Sequence, residues 1–179
     1  MRKTIHKWFW VWDFDKEEKW LNEMAAKGLS LIAVKFVTYE FEDTLPGEYQ
    51  IRLQYLENHM HCVEKEKYIG FLEETGVQHV GNFGRWVYLR KKATDGRFEI
   101  FSDNASRVKQ LTNIIILLGI LLGANLSSGA YNLLLYLQWS NPVSLGFILN
   151  LLIIILLSYG IIKLLKKRKK IKNERQIFE

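Results

Sequence analysis

The sequence predicts an α+β domain with a ferredoxin-like β-α-β-β-α-β order and an extra C-terminal strand, followed by a two-helix transmembrane hairpin. Three observations carry this prediction. Residues 1–109 balance 17 Lys/Arg against 17 Asp/Glu and alternate short segments of strand and helix period. The next 53 residues, Gln110 to Ile162, contain no Asp, Glu, Lys or Arg. Residues 163–179 carry eight Lys/Arg and two Glu, so the whole formal charge of +6 sits in the tail.

The elements follow in order. Lys7–Trp12 is rich in aromatic and β-branched types and reads as a strand. Asp13 or Asp15 can cap a helix, and Asp15 with Glu18 has capping-box spacing. Trp20, Leu21, Met24 and Ala25 recur at helical spacing, and Gly28 is placed as a stop. Leu29–Phe41 is extended, and Leu45-Pro46-Gly47-Glu48 is a turn. Tyr49, Ile51, Leu53 and Tyr55 alternate with Gln50, Arg52 and Gln54, which is the period of a half-buried strand. Val63–Thr75 reads as an amphipathic helix stopped by Gly76. Val77–Val80, Arg85–Arg90 and Arg97–Phe101 complete the strands.

A strand over Lys7–Trp12 puts Trp8, Trp10 and Trp12 on one face and Phe9 and Val11 on the other. One set packs under the helices. The other is an exposed aromatic strip unless the extra strand, the membrane or a partner covers it. These tryptophans, with Trp86 and Tyr88 from a later strand, either pack as plain core or form a candidate surface for a partner or apolar ligand. Four-stranded sheets with surface aromatics also stack RNA bases, but this domain is charge-neutral and lacks the flanking basic motif, so no nucleic acid is expected.

A bilayer core needs about 20 apolar residues per helix. The uncharged run holds two such spans, about 111–128 and 145–164. The expected divisions are thus a domain over 1–105, a hairpin over 106–165 and a basic tail over 166–179. Tyr131, Tyr136 and Trp139 suit the water–lipid interface, and Leu133–Leu137 either extends the first helix or lies in that interface. Basic residues flank both spans and the loop between them has no charge, so the positive-inside rule places both termini in the cytoplasm, at the cell membrane. Gly119, Gly123 and Ser127 form a small-residue row for helix packing, within the chain or in a homo-oligomer. Asn113, Asn125 and Asn150 are polar groups able to bond across helices. Lys163, Lys166, Lys167, Arg168, Lys169, Lys170 and Lys172 face anionic headgroups of the lipid bilayer.

Chemical motifs are sparse. His59, His61 and Cys62 cluster as H-x-H-C, which in isolation is too small a donor set for a metal, and Cys62 is the one cysteine. Gly81-Asn82-Phe83-Gly84 lacks the Lys-Ser/Thr of a phosphate loop. No nucleophile or metalloprotease signature is present, and no catalysis, cofactor or metal is expected.

The segments KWFWVWDFDKEEKWLNEMAAKGLSL (Lys7–Leu31), PGEYQIRLQYLE (Pro46–Glu57) and FSDNASRVKQ resemble the bacterial domain of unknown function 2812 family over about residues 4–109. That resemblance implies a membrane protein of bacteria, often encoded beside PadR-type repressors, in a regulatory setting. It carries over no catalytic residue. The expected function is a membrane-anchored interaction or sensory module whose cytoplasmic domain binds a protein partner or a small apolar ligand. The rival is an accessory subunit of a transporter or efflux complex.

Overall fold

A computed structural model describes residues 2–56, 62–96, 98, 104–139 and 145–176. The chain divides into two compact units, Met1–Ser102 and Asp103–Glu179.

The first unit runs β1 (Arg2–His6), α1 (Phe14–Ala26), β2 (Leu29–Lys35), β3 (Thr38–Asp43), β4 (Tyr49–Tyr55), α2 (Cys62–Glu74), β5 (Val77–Phe83) and β6 (Trp86–Lys92). These strands make two sheets, β1-β3-β2 and β4-β6-β5, antiparallel throughout. In each sheet a helix connects the two outer strands and the third strand inserts between them. That is a split βαβ unit used twice. The class is α+β, as expected, but the ferredoxin-like order is not what forms. Interleaving the two units would give one sheet, whereas here each unit keeps its own central strand.

The two copies are in register at 48 residues. Cys62 follows Phe14, Val77 follows Leu29 and Trp86 follows Thr38 at that interval. The sheet registers also shift at matching points, between Leu31 and Ala33 and between His79 and Gly81. Gly28 and Gly76 end the two helices at φ +81° and +83°, the left-handed conformation that glycine adopts without steric cost.

α1 is the core helix. Phe14, Leu21, Met24 and Ala25 are buried along one stripe. Asp13 precedes it without a side-chain cap bond, and Asp15 and Glu18 both lie inside the helix, so the expected capping box does not form. Glu18 is used elsewhere. Its Oε2 accepts the Leu53 N–H at 2.9 Å, and Asn22 one turn on accepts the Ile51 N–H at 2.9 Å and donates to the Ile51 carbonyl at 2.8 Å. Those groups belong to β4, an outer strand of its sheet. Two side chains of α1 therefore satisfy the backbone edge that a neighbouring strand otherwise pairs. The corresponding positions in α2 are Glu66 and Gly70. α2 is lighter: Tyr68 and Leu72 are half-buried against Leu56, Val77, Val87, Leu89 and Phe98.

The two sheets meet where β2 lies beside β5. A Cβ on Gly81 would stand 3.3 Å from Val34 Cγ1. Arg90 ties the sheets together. From β6 its guanidinium donates to Glu42 Oε1 at 2.7 Å on β3, to the Leu31 carbonyl and Ser30 Oγ on β2, and to Gln78 Oε1 on β5.

The first strand is not Lys7–Trp12. β1 ends at His6, opposite Thr38, the first residue of β3. Beyond that register the tryptophan segment has no strand to pair with, and one bond, Lys7 N–H to the Val37 carbonyl, marks the end of the ladder. Val11–Asp13 then turns as a 3-10 helix into α1. The expected Leu29–Phe41 strand is a hairpin, with its turn at Phe36 and Val37. The strand expected over Arg97–Phe101 and the pair His59 and His61 lie outside the described residues, Phe98 excepted.

The second unit is two long helices packed side by side, α3 (Asn104–Trp139) and α4 (Leu145–Gln176). Ser106–Gln138 and Leu145–Asn173 are long and apolar enough to cross a membrane, with mean hydropathies of 1.8 and 2.6. Leu133–Leu137 extends the first of them. The basic run Lys163–Lys172 continues α4 without a break. Asn150 donates to the carbonyl and the side-chain oxygen of Asn125, both at 3.2 Å. Gly129 makes that approach close: a Cβ there would stand 2.8 Å from Asn150 Oδ1. Gly119, Gly123 and Ser127 are exposed, and a Cβ on either glycine meets nothing within 4 Å. The expected small-residue row therefore does not form the α3–α4 contact; Gly129 does.

Candidate functional site

The feature of the first unit that folding least requires is an aromatic surface. Besides Phe71 on α2, four large rings stay open to water: Trp8 at 52%, Trp10 at 40%, Phe36 at 58% and Phe83 at 41% exposure. They touch in sequence. Phe83 meets Phe36 at 5.6 Å between ring centroids, Phe36 meets Trp8 at 5.5 Å, and Trp8 meets Trp10 at 5.4 Å. Phe36 lies in the β2–β3 turn and Phe83 at the β5–β6 turn, so the two copies bring equivalent hairpin tips together. The segment leading into α1 lays Trp8 and Trp10 beside them.

The surface is anchored from below. Trp10 stacks on buried Trp12 at 5.1 Å and an interplanar angle of 4°. Phe14 and Tyr55 enclose Trp86, with centroids at 5.0 and 5.2 Å. Of the five residues expected to form a contact surface, Trp8 and Trp10 are on the outside. Trp12, Trp86 and Tyr88 are in the core. Alternation along a strand cannot apply to residues beyond the strand's end. Phe36 and Phe83 were not singled out from sequence. The Gly84 turn gave a signal at Phe83, but Lys35-Phe36-Val37 has no Gly, Pro or Asn to reveal a turn, and Val37 takes φ +50° without one.

Beneath α1 lies a buried polar cluster. Glu17, 7% exposed, accepts two hydrogen bonds on Oε1, from Tyr39 at 2.7 Å and Tyr88 at 2.5 Å. Tyr39 is on β3 and Tyr88 on β6, so one carboxylate joins the helix to the central strand of each sheet. Burial pushes the Glu17 carboxyl above the usual range, and the two hydroxyl bonds offset part of that. Both phenols are pushed up, first by burial and then by the adjacent negative carboxylate. They are protonated donors at any physiological pH. The cluster is a satisfied core network.

Chemistry elsewhere is thin. Among the described residues no group of three His, Cys, Asp or Glu side chains is placed to hold a metal. A groove of about 390 Å³ between α2 and β5 is lined by Lys65, Glu66, Ile69, Glu73 and His79, with charges of both signs and no convergent set. On the neighbouring aromatic group of Phe9, Trp20, Tyr39 and Phe41, Lys7 Nζ lies 4.5 Å from the Trp20 ring and 5.0 Å from Phe9.

This arrangement defines the class: a duplicated βαββ domain with an exposed aromatic surface, joined to a pair of long apolar helices. Residues 13–122 match the family described as Protein of unknown function (DUF2812), and the chain belongs to that family. The match spans α1 to the first part of α3, so both units take part in it. No curated protein and no solved structure matches the chain.

Proposed function

We propose that the protein is a membrane-anchored interaction module. Its helical pair spans the cell membrane with both termini in the cytoplasm. Its duplicated domain engages a protein partner or a small apolar ligand through the surface of Trp8, Trp10, Phe36 and Phe83. The observation that carries this is the exposure of four touching aromatic rings on a domain whose core is already supplied with aromatics. Contiguous apolar surface of that kind marks recognition sites. Supporting the anchor are two helices of 36 and 32 residues and an uncharged run bounded by basic residues on both sides.

Photo-crosslinking tests it. A benzophenone amino acid at Phe36 in the full chain, in native membranes, is expected to capture one discrete partner, and the same probe at Leu45 in the β3–β4 turn is not. Equal, diffuse labelling from both positions refutes a recognition surface at the hairpin tips.

A second reading is an accessory subunit of a membrane transport complex. It is favoured by the outward exposure of Gly119, Gly123 and Ser127, which leaves a close-packing row on α3 unused by α4. A stoichiometric membrane partner retained in detergent, and lost on Gly123→Leu, distinguishes it.

A further inference from the structure

We propose that the aromatic surface, when no partner is engaged, lies on the anionic headgroup layer of the bilayer that anchors the chain. This deepens the reading above and rests on its membrane anchor. The chemistry of the rim selects this occupant. The segments that form the surface, residues 6–11, 35–37 and 83–85, carry Lys7, Lys35 and Arg85 and no Asp or Glu. Glu40 neutralises Lys35 at 3.6 Å. Lys7 and Arg85 have no acidic partner among the described residues and rest over aromatic rings, Lys7 over Trp20 and Arg85 over Tyr55. Tryptophan with lysine and arginine is the combination that suits the water–lipid boundary, the indole body in the acyl margin and the cations at phosphate. A protein recognition surface of the same area needs no such one-sided charge.

Tethering favours the same occupant. Five residues separate Phe98 from Asn104, at most about 20 Å of extended chain. The bilayer is therefore always within reach, at an effective concentration no soluble partner matches. The basic run Lys163–Lys172 on α4 draws the same anionic lipids to the cytoplasmic face. A partner must then compete with lipid for the four rings, which makes their availability depend on headgroup charge.

Site-directed spin labelling of the full chain in nanodiscs tests this. Cys62 is replaced by Ser, and single nitroxides are placed at Phe36→Cys, at Phe83→Cys as a second site on the same surface, at Leu45→Cys as a water-facing control, and at Ile120→Cys within α3. The two surface labels are expected to gain oxygen accessibility and lose nickel-chelate accessibility by about five-fold relative to Leu45 in phosphatidylglycerol discs, and not in phosphatidylcholine discs. Lys7→Gln with Arg85→Gln is expected to abolish that difference. Surface labels that stay in water in both lipids, with the Ile120 label in lipid, overturn the docking and leave the anchor standing. Insertion that ignores headgroup charge overturns the anionic assignment. Shielding from both oxygen and nickel shows a protein cover and overturns lipid as the occupant. An Ile120 label outside lipid overturns the anchor, and the docking with it.

Discussion

Replacing Asn22 by alanine removes a polar clamp from a strand edge while leaving the apolar core untouched. In the wild type the side-chain amide donates to the Ile51 carbonyl at 2.8 Å and accepts the Ile51 N–H at 2.9 Å. Alanine leaves the Ile51 N–H without a protein partner and its carbonyl with one long bond, from Arg52 Nη1 at 3.4 Å, in a part-buried setting. Each such group costs about 1–3 kcal/mol when water cannot replace the bond, and the lower end applies at partial burial. The bare N–H and the weakly held carbonyl together give about 2 kcal/mol. Alanine is the better helix former and returns about 0.6 kcal/mol on α1. The expected net loss is about 1.5 kcal/mol, or a fall of about 6–12 °C in Tm for a domain of this size. Near-ultraviolet circular dichroism of the full chain in detergent follows the domain, because its tryptophans sit in the aromatic cluster. Amide exchange supplies the local readout, with the Ile51 N–H losing protection out of proportion to its β4 neighbours. A Tm within about 3 °C of wild type, with Ile51 still protected, would show that water serves this edge equally well. The account of α1 as a surrogate strand would then be wrong.

Other perturbations separate the remaining contributions. Gly28→Ala meets both a left-handed φ of +81° and the Thr44 carbonyl at 2.8 Å, so a loss of about 3 kcal/mol is expected in urea unfolding; Gly47→Ala, at φ +74° with open space around it, should cost about 1 kcal/mol. Arg90→Met should cost about 3 kcal/mol because Glu42, Ser30 and the Leu31 carbonyl lose one shared donor, and Arg90→Lys should not restore it, since an ammonium lacks the fork that reaches both sheets. Glu17 titrates above the ordinary glutamate value of 4.5 in the folded chain, so the folded state holds the proton more tightly than the unfolded state. Its contribution is complete below that pH and is lost as pH rises through the raised value. Glu17→Gln keeps an acceptor for both tyrosines and is expected to flatten the decline in Tm from pH 4.5 upward; a variant that keeps the wild-type slope, or melts far lower at every pH, refutes this.

Where the sequence could be read, it was read from patterns that one residue suffices to fix. Gly28 and Gly76 marked helix ends because no other residue takes that backbone cheaply, and Tyr49–Tyr55 alternated because one face is buried. The 53-residue uncharged run needed no context at all. The first strand was misplaced because tryptophan and valine favour strands wherever a partner exists, and composition does not reveal that β3 begins at Thr38, one residue beyond the reach of Lys7. The class is α+β as expected, and the strand order differs for a related reason. A single ferredoxin-like set and two successive split βαβ units begin with nearly the same element order. They differ in which strand is central, and that is decided by long-range pairing. The signal was present: two helices closed by glycine 48 residues apart, each followed by a hairpin. Glu17 was invisible because a glutamate on a helix carries no mark of burial until Tyr39 and Tyr88 arrive from strands far along the chain.

The duplication explains why an aromatic surface exists where it does. The copies have diverged in their helices: Leu21, Asn22 and Ala25 on α1 correspond to Ile69, Gly70 and Glu73 on α2. The first helix is both core and cover for β4, whereas the second packs more lightly, through Tyr68 and Leu72. The hairpin tips have not diverged in that sense. Each copy carries a phenylalanine near its hairpin turn, offset by one position in the 48-residue register (Phe36 aligns with Gly84 and Phe83 with Lys35), and the close approach of β2 to β5 at Gly81 accompanies the contact of Phe36 with Phe83. Packing alone does not demand this, because Phe9, Trp20, Tyr39 and Phe41 already form an aromatic core beside it. Contiguous exposed rings that gain little from the fold mark an interaction surface. On the proposed reading, in which the two apolar helices span a bilayer, covering those rings and anchoring the domain are two consequences of one location.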